Sequence, residues 1–471
     1  MTMSDSEKYQ SDSKALGQEA QTGDVYDDPS HAHDAVFGTI TEDGPNYRDV
    51  GWIGTVALML KTQIGLGVLS IPAAFDTLGI VPGIICLCVI AAVTTWSDYM
   101  IGVFKLKHRE VYNIDDAGQL MFGRVGREFF GVAFVLFWIF VAGSGMLSVS
   151  IGLNAVSHHG TCTAVFVAVA AIISFSLSSI RTLGRLTWLA WVGVGAIITA
   201  IMIVTIAVGI QDRPSAAPTE GHWESDFKII GSPTFVKAIS AISSIVFSYA
   251  GTPAFFSIAS EMRDPRMYTR SLICCQATVT VVYIVIGCVV YYFCGSYVSS
   301  PALGSAGPMV KKVAYGFALP GLIVSTTLLS HVAAKYIFVR ALRNSKHLAA
   351  NTMQHWASWL ACTFFIMIAA YCIASGIPVF GGLVSLIGAF LGTVLSFQPY
   401  GCMWLYDNWS SGKDERSLRW CLMVAWCVFV IVSGTFLMIG GTYGSIVDIM
   451  DSYKASGGSA AWSCADNSGS V

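Results

Sequence analysis

The sequence predicts an all-α polytopic membrane protein with eleven transmembrane helices, arranged as an inverted repeat of five plus five helices and one extra helix. Composition is the first observation, because only 12% of the 471 residues are charged and 54% are hydrophobic. The mean hydropathy of +0.62 lies outside the usual range of soluble globular domains. The second and third observations are two apolar helices, one in each half, that are both interrupted near their middle.

The first broken helix is predicted near residues 49–79, where Gly65 and Gly67 interrupt an apolar run and Pro72 follows. Glycine weakens a helix and proline removes a hydrogen-bond donor. An unpaired backbone amide costs several kcal/mol in hydrocarbon, so unwound backbone is tolerated only inside the protein or beside a cavity. The break therefore predicts a binding site near the middle of the membrane.

Apolar runs of about 20 residues mark the other spans. In the first half they lie near residues 81–104, 128–154, 163–180 and 187–210, so the first repeat covers about 49–210. In the second half they lie near residues 234–261 (broken), 269–294, 312–339, 356–376 and 379–403, so the second repeat covers about 234–403. The transporter domain of residues 49–441 ends with the extra helix, near 419–441. It is flanked by a polar tail of residues 1–48, predicted to be disordered, and a tail of residues 442–471.

The sixth span contains the second break, with Gly251 and Pro253 at its centre. Paired interruptions at corresponding positions of two halves indicate a secondary transporter with its site at the membrane midplane. Because five helices separate the breaks, the second broken helix enters from the opposite side, and the repeat is inverted. Free amides of the first break then suit a carboxylate, and exposed carbonyls of the second suit an ammonium group. The predicted substrate-binding residues are Thr62, Gly65, Leu66, Gly67, Val68, Ser70, Phe247, Ser248, Tyr249, Ala250 and Thr252.

The distribution of Lys and Arg predicts the orientation. Of these 27 residues, 19 fall on the side that holds the N-terminus and 5 on the other side, which favours a cytoplasmic N-terminus. An odd number of spans then places the C-terminal tail outside. Cys162 and Cys464 both fall on the outer side, where disulfides are permitted. The sequence leaves open whether they form a bridge or remain free thiols.

Ionisable residues inside the spans are functional candidates, because a charge within the membrane is costly. Lys61 is the deepest of them. Its charge either alternates as the site opens and closes, or is held in a static ion pair, for which Glu261 is the candidate partner. Asp98 and Lys335 are expected at the membrane interface. Apart from Glu261 no acidic residue lies near either break, and Phe247 adjoins the second, so a neutral substrate side chain is favoured.

Three motifs give the chain a family resemblance. The runs KTQIGLGVLSIP, IRTLGRLTWLAWVG and SYAGTPAFFSIASEMRDP resemble the amino acid/auxin permease family, and most closely its fungal neutral amino acid permeases. The resemblance covers about residues 45–445. It implies proton-coupled amino acid uptake at the plasma membrane, without a cofactor other than the coupling ion. Sodium is left open as that ion, and the vacuolar membrane as the location. The candidates for proton coupling are Lys61, Glu261 and Asp98.

Two other classes of function compete with secondary transport. An amino acid sensor would use the same fold without net transport. A membrane-embedded enzyme would need convergent catalytic groups, but the sequence has no HExxH or GxSxG motif, so no catalytic residue is predicted. No Cys/His cluster has metal-site spacing, so no metal is predicted either. The predicted partners are an amino acid and the lipid bilayer, and the net charge of −2 gives no reason to expect nucleic acid.

Overall fold

The computed structural model of the protein describes residues 33–34, 38–39, 48–214, 216–218, 220, 223–343, 345, 347–348, 351–377, 379–412, 417–455 and 462–468. The predicted disordered tail of residues 1–48 therefore lies almost entirely outside the described residues. Within it, strands β1 (His33–Asp34) and β2 (Gly38–Thr39) pair in antiparallel fashion.

The helices of the first half follow one another in the predicted order. The first broken helix consists of α1 (Trp52–Gln63), a 3-10 turn at Gly67–Ser70, and α2 (Ile71–Leu78). It is followed by α3 (Ile80–Lys107), α4 (Ile114–Ser157), α5 (Thr163–Ser178) and α6 (Leu183–Ile210).

The second half begins with another broken helix, made of α7 (Phe235–Tyr249) and α8 (Thr252–Ser260). Next come α9 (Tyr268–Cys294), α10 (Pro308–Leu342) and α11 (Met353–Gly376). The tenth span comprises α12 (Phe380–Ile387), a π-helical turn at Gly388–Gly392, α13 (Thr393–Ser396) and α14 (Gln398–Gly412). The last helix is α15 (Leu418–Ala455), and short 3-10 turns lie at Pro265–Met267, Gly295–Tyr297 and Ala302–Gly304.

Every predicted span corresponds to a helix or broken helix of the structure. Ten of the described helices, counting the broken ones as single spans, are long and apolar enough to cross a membrane. The remaining predicted span, α5, is apolar but has only 16 residues. At 1.5 Å per residue it is about 24 Å long, slightly less than the hydrocarbon core of about 30 Å. The predicted all-helical transmembrane architecture is confirmed.

Three spans differ from the expected ones by more than a few residues or by an internal division. Helix α4 begins at Ile114, because a segment before the apolar run is also helical and joins it through Gly123, which has a φ of +64°. The tenth span was expected to be one helix, but its π-helical turn and the non-helical Phe397 (φ −120°, ψ −74°) divide it. The last helix continues to Ala455, beyond the expected end at residue 441.

The two broken helices form the centre of the bundle. In each, 89% of the most apolar stretch is buried inside the protein, whereas for α15 the share is 17%. Helices α4 and α10, at 78% each, pack beside them. Whatever binds at the breaks is therefore surrounded by protein, while α15 presents most of its surface to lipid.

One end of the bundle is called the basic end here, because Lys107, Arg340 and Arg343 lie there. At this end the start of the first broken helix is joined to the end of the second. The Val50 amide donates to the Glu261 carbonyl at 3.1 Å, and the Arg263 amide donates to the Val50 carbonyl at 2.9 Å. The two broken helices are thus linked through backbone as well as through side chains.

The opposite end, called the disulfide end here, holds the C-terminal segment of residues 462–468. Cys464 forms a disulfide with Cys162, so the alternative of two free thiols is not what the structure shows. Thr163 Oγ1 donates to the Ala465 carbonyl at 2.7 Å, and Asn154 Nδ2 donates to Asn467 Oδ1 at 2.8 Å. These contacts anchor the segment against the α4–α5 connection.

Candidate functional site

The first break begins where α1 ends, at Gln63. Ile64 is non-helical (φ −75°, ψ 86°), and helical geometry resumes only in the 3-10 turn that starts at Gly67. The Ile64 carbonyl lies in this interval and accepts a hydrogen bond from Lys61 Nζ at 3.2 Å. Unwound backbone in the centre of the bundle is thus satisfied by the side-chain nitrogen of a lysine in the preceding turn.

The second break comprises Ala250 (φ −77°, ψ 35°) and Gly251, between α7 and α8. Helix α8 resumes at Thr252, with Pro253 in its first turn. Proline fits this position because its missing N–H would have no helical acceptor there. The break and the restart of the helix therefore follow directly from the sequence Gly-Thr-Pro.

Glycines allow the two breaks to touch. A Cβ atom at Gly67 would lie 2.6 Å from Ser248 Cα, and one at Gly251 would lie 2.6 Å from Thr62 Oγ1. Ser248 Oγ also donates to the Gly67 carbonyl at 3.0 Å. Each glycine is required by this close approach, and the two breaks form one structural unit.

Tyr283 of α9 connects both breaks. Its hydroxyl oxygen lies 2.8 Å from the Gln63 carbonyl and 2.8 Å from the Ser248 carbonyl, so one O–H group is shared between them. Gln63 Nε2 contacts the Tyr249 carbonyl at 3.5 Å. Some of the carbonyls expected to be free for an ammonium group therefore already accept hydrogen bonds from protein groups.

A cavity lies beside the breaks, between the first broken helix, α4, α7 and α10. Its volume of about 10 Å³ is close to the space that one water molecule needs. Its lining residues are Lys61, Thr62, Gln63, Leu66, Gly67, Phe137, Trp138, Val141, Phe247, Ala250, Ser325 and Leu329. An amino acid is much larger than one water, so its binding here requires the surrounding helices to move apart.

The predicted substrate-binding residues fall into two groups. Those that line the cavity are Thr62, Leu66, Gly67, Phe247 and Ala250. Those that lie at or next to the breaks without lining it are Gly65, Val68, Ser70, Ser248, Tyr249 and Thr252. Ser70 instead donates to the Gly67 carbonyl at 2.8 Å, within the break.

Half of the residues that line the cavity were not predicted from the sequence. Gln63 was close to the first break and could have been included, because it is a polar residue inside a span. Phe137, Trp138, Val141, Ser325 and Leu329 come from α4 and α10, which are distant in sequence. They lie in regular apolar helices, and no local pattern distinguishes them from residues that face lipid or core.

Lys61 is buried, with 1% of its surface exposed, and its side chain crosses a gap left by Gly193 of α6. A Cβ atom at Gly193 would lie 2.8 Å from Lys61 Cε. Within the described part of the chain, no carboxylate lies within 4.0 Å of the Lys61 ammonium group. The static ion pair between Lys61 and Glu261 that the sequence suggested is therefore absent.

Glu261 pairs instead with Lys335 of α10, with 2.5 Å between Oε1 and Nζ. The two side chains are 1% and 2% exposed, so the pair is enclosed by protein, and the position of Lys335 at the membrane interface stays a prediction. Asp98 was also expected there and is fully buried.

Sequence comparison identifies a family. A family model described as transmembrane amino acid transporter protein matches residues 48–447. A transmembrane transporter of Gibberella moniliformis is 36% identical over 431 residues, which cover 91% of this chain and 90% of the relative. The N amino acid transport system protein of Neurospora crassa is 34% identical over 425 residues, which cover 89% of each chain.

Solved structures share the fold at low sequence identity. MhsT in complex with L-phenylalanine has a TM-score of 0.51 and 12% identity, over 86% of this chain and 98% of MhsT. The nucleobase-cation-symport-1 family transporter Mhp1, in a closed conformation with bromovinylhydantoin bound, has a TM-score of 0.52 and 11% identity, over 91% and 99%. The chain thus shares its inverted-repeat fold with these two proteins. Both the fold and the matched family are those of membrane transporters and not of enzymes. Together with the family match, this establishes that the chain belongs to the transmembrane amino acid transporter family.

Proposed function

We propose that the protein takes up neutral amino acids by symport with protons, through alternating access to a site between the two broken helices. The observation that carries the proposal is the cavity at which both breaks meet, with a buried lysine and unwound backbone in its wall. Membership of the family supports an amino acid as the substrate. The small volume of the cavity supports a transport cycle in which the helices open around the substrate.

The wall of the cavity favours a neutral side chain. Seven of its residues have apolar or aromatic side chains, namely Leu66, Phe137, Trp138, Val141, Phe247, Ala250 and Leu329. No carboxylate is among the lining residues, so a cationic side chain would have no partner. Lys61 is the one basic residue among the described residues of the wall, and it would pair as an ammonium group with the substrate's own α-carboxylate. The side-chain carboxylate of an acidic amino acid would therefore have no partner in the wall.

The proposal also covers the orientation of the protein in the membrane and the membrane in which it resides. The basic end would face the cytoplasm, as the excess of Lys and Arg favours, and the N-terminus would lie on the same side. The disulfide end would face outward, where the Cys162–Cys464 bridge is chemically compatible with its surroundings. Residence in the plasma membrane is inferred from the family resemblance, with the vacuolar membrane as the alternative.

The decisive experiment is uptake of radiolabelled L-phenylalanine into liposomes that contain the purified full-length protein. An inward proton gradient should drive accumulation above the external concentration, and a protonophore should abolish it. An inward sodium gradient at equal pH should have no such effect. Unlabelled neutral amino acids should compete, whereas lysine and glutamate should not. A sensor would instead bind L-phenylalanine without accumulating it, and sodium-driven accumulation would contradict proton symport.

Lys61, Glu261 and Asp98 are the candidates for proton coupling, and Lys61 can be tested for a different role. Lys61→Met should weaken L-phenylalanine binding, because it removes the one basic residue among the described residues that line the cavity. A hydrogen bond to a charged group contributes about 1.5–3 kcal/mol, so the Kd should rise by about ten- to 150-fold. Binding and exchange of labelled substrate can be measured on the same preparation. Lys237→Met, at an exposed lysine of α7, is the matched control.

The two roles of Lys61 give different results. If Lys61 binds the carboxylate, exchange and gradient-driven uptake fall together in Lys61→Met. If its charge alternates during transport, exchange persists and only the acceleration by the proton gradient is lost. The second result would assign coupling to Lys61 and contradict a carboxylate-binding role.

A further inference from the structure

A buried polar cluster lies beside the second break, outside the cavity. Its centre is Asp98 of α3, which is fully buried. Gln276 of α9 donates from Nε2 to Asp98 Oδ2 at 2.5 Å. The hydroxyl group of Thr252, the first residue of α8, faces the same carboxyl group. Three helices that include half of a broken helix thus meet at one carboxyl group.

The cluster contains no positive charge to balance a carboxylate. Among the described residues, no Lys, Arg or His nitrogen lies within 4.0 Å of Asp98. Asp98 Oδ1 and Thr252 Oγ1 also have no hydrogen-bond partner within the described part of the chain. Burial of an unpaired charge in a membrane span is costly, so the neutral acid is the form that suits these surroundings. The Thr252 hydroxyl can donate to the carboxylate or accept from the acid, so it can serve either protonation state.

The other titratable groups near Asp98 come from the helices packed against it. They are Tyr268 and Cys275 of α9 and Tyr400 of α14. Tyr268 donates its hydroxyl to the Asp98 backbone carbonyl at 2.9 Å, and Tyr400 donates to the Leu395 carbonyl at 3.0 Å. All three are neutral in their ordinary forms. None of them supplies the missing countercharge, so the proton itself is the means of neutralising the carboxylate.

We propose that Asp98 binds the transported proton, and that Gln276 and Thr252 couple its protonation to the position of α8; this rests on the proposed proton symport. While the basic end is closed and the outer side is open, hydronium from the outer aqueous phase transfers a proton to Oδ1, so that an O–H bond forms there and a water molecule is released. When α8 moves to open the basic end, water reaches the carboxyl group and accepts the proton. The carboxylate that remains keeps its hydrogen bond from Gln276.

The position of Asp98 fits this role. It lies nine residues before the end of α3 at the basic end, which is about 14 Å along the helix. Helix α8 packs directly against α3 and begins at the second break. Movement of this half-helix therefore changes the substrate site and the surroundings of Asp98 together. Glu261, by contrast, is already neutralised by Lys335.

The test uses the full-length protein in liposomes that enclose a pH-sensitive dye. With wild-type protein, addition of L-phenylalanine should acidify the interior. With Asp98→Asn, labelled-for-unlabelled exchange should continue, but substrate should no longer move protons and a proton gradient should no longer accelerate uptake. Asp98→Glu should restore proton movement. Asp76→Asn, at a half-buried carboxyl group of α2, is the matched control and should behave as wild type.

The outcomes separate this inference from the proposed function. If substrate moves no protons with wild-type protein, proton symport itself is wrong. If it moves protons equally with wild type and with Asp98→Asn, symport stands and the assignment to Asp98 is overturned.

Gln276→Leu adds a measurement that a structural role would not affect. Loss of its hydrogen bond to the carboxylate should shift the pH profile of gradient-driven uptake to higher pH, and an unchanged profile counts against the coupling role of Gln276.

If Asp98→Asn fails to insert into the membrane, the protonation of Asp98 can still be measured directly on the wild-type protein and on Asp98→Glu. Infrared difference spectroscopy between low and high pH should show a protonated carboxylic acid in an apolar environment, and Asp98→Glu should shift its band. Absence of such a band would overturn the inference.

Discussion

Gly67→Val should reduce amino acid uptake to the level of empty liposomes. The Cβ atom alone would lie 2.6 Å from Ser248 Cα, a backbone atom that can move only with the second break. The substitution should therefore separate the breaks and remove the hydrogen bond from Ser248 Oγ to the Gly67 carbonyl. Overpacking of this kind costs about 1–3 kcal/mol, and here the distortion falls on the substrate site itself. Binding of L-phenylalanine to the purified variant and uptake into liposomes provide the two measurements.

Two further variants test whether the collision of the new side chain with Ser248 causes the loss of uptake. Gly67→Ala adds only the colliding Cβ atom, so it should also impair binding. Gly195→Val places the same side chain in α6, where a Cβ atom would meet nothing within 4 Å, and should leave uptake unchanged. Wild-type binding by a correctly inserted Gly67→Val protein would show that the contact between the breaks does not form the site.

The position of the candidate site could be predicted from sequence because its signal is local. Gly65, Gly67 and Pro72 in one apolar run, and Gly251 with Pro253 in another, identify both breaks without any knowledge of tertiary structure. A helix interruption in a membrane span depends on backbone chemistry alone, and glycine and proline report that chemistry directly. The same reasoning identified the spans, since hydrophobic length is also a local property.

The partners across the breaks could not be predicted, because they depend on which faces of distant helices meet. Tyr283 lies in an ordinary apolar stretch of α9, and nothing in that stretch indicates a shared hydrogen bond to two breaks. The ion pair of Lys335, by contrast, could have been predicted from the sequence. A lysine inside a predicted span needs a countercharge, and Glu261, 74 residues away, was the one acidic residue near a break.

The pair formed by Glu261 and Lys335 leads to the second prediction with a large effect. Lys335→Met should strongly lower thermal stability, because it removes the ammonium group that lies 2.5 Å from the buried Glu261 carboxylate. Removing one partner of a buried pair costs about 3–5 kcal/mol. Arg263→Met is the matched control, since it removes the guanidinium group from an ion pair with Asp49 in which the side chains are 71% and 56% exposed. Exposed pairs contribute about 0–1 kcal/mol, so this control should unfold close to wild type.

The double variant Lys335→Met/Glu261→Gln separates the cost of a lone charge from the value of the pair. Replacement of both charges by groups of similar size is often neutral, so the double variant should recover most of the lost stability. Thermal unfolding of the purified proteins should therefore rank wild type and the double variant together, above Lys335→Met. If the double variant is as unstable as the single one, the pair contributes net stability and the desolvation argument is wrong.

The transport rate of the double variant adds a separate result. Glu261 belongs to the backbone link that joins both broken helices, because its carbonyl accepts a hydrogen bond from the Val50 amide. A stable double variant that binds substrate but does not transport it would show that this pair holds the basic end closed during part of the cycle.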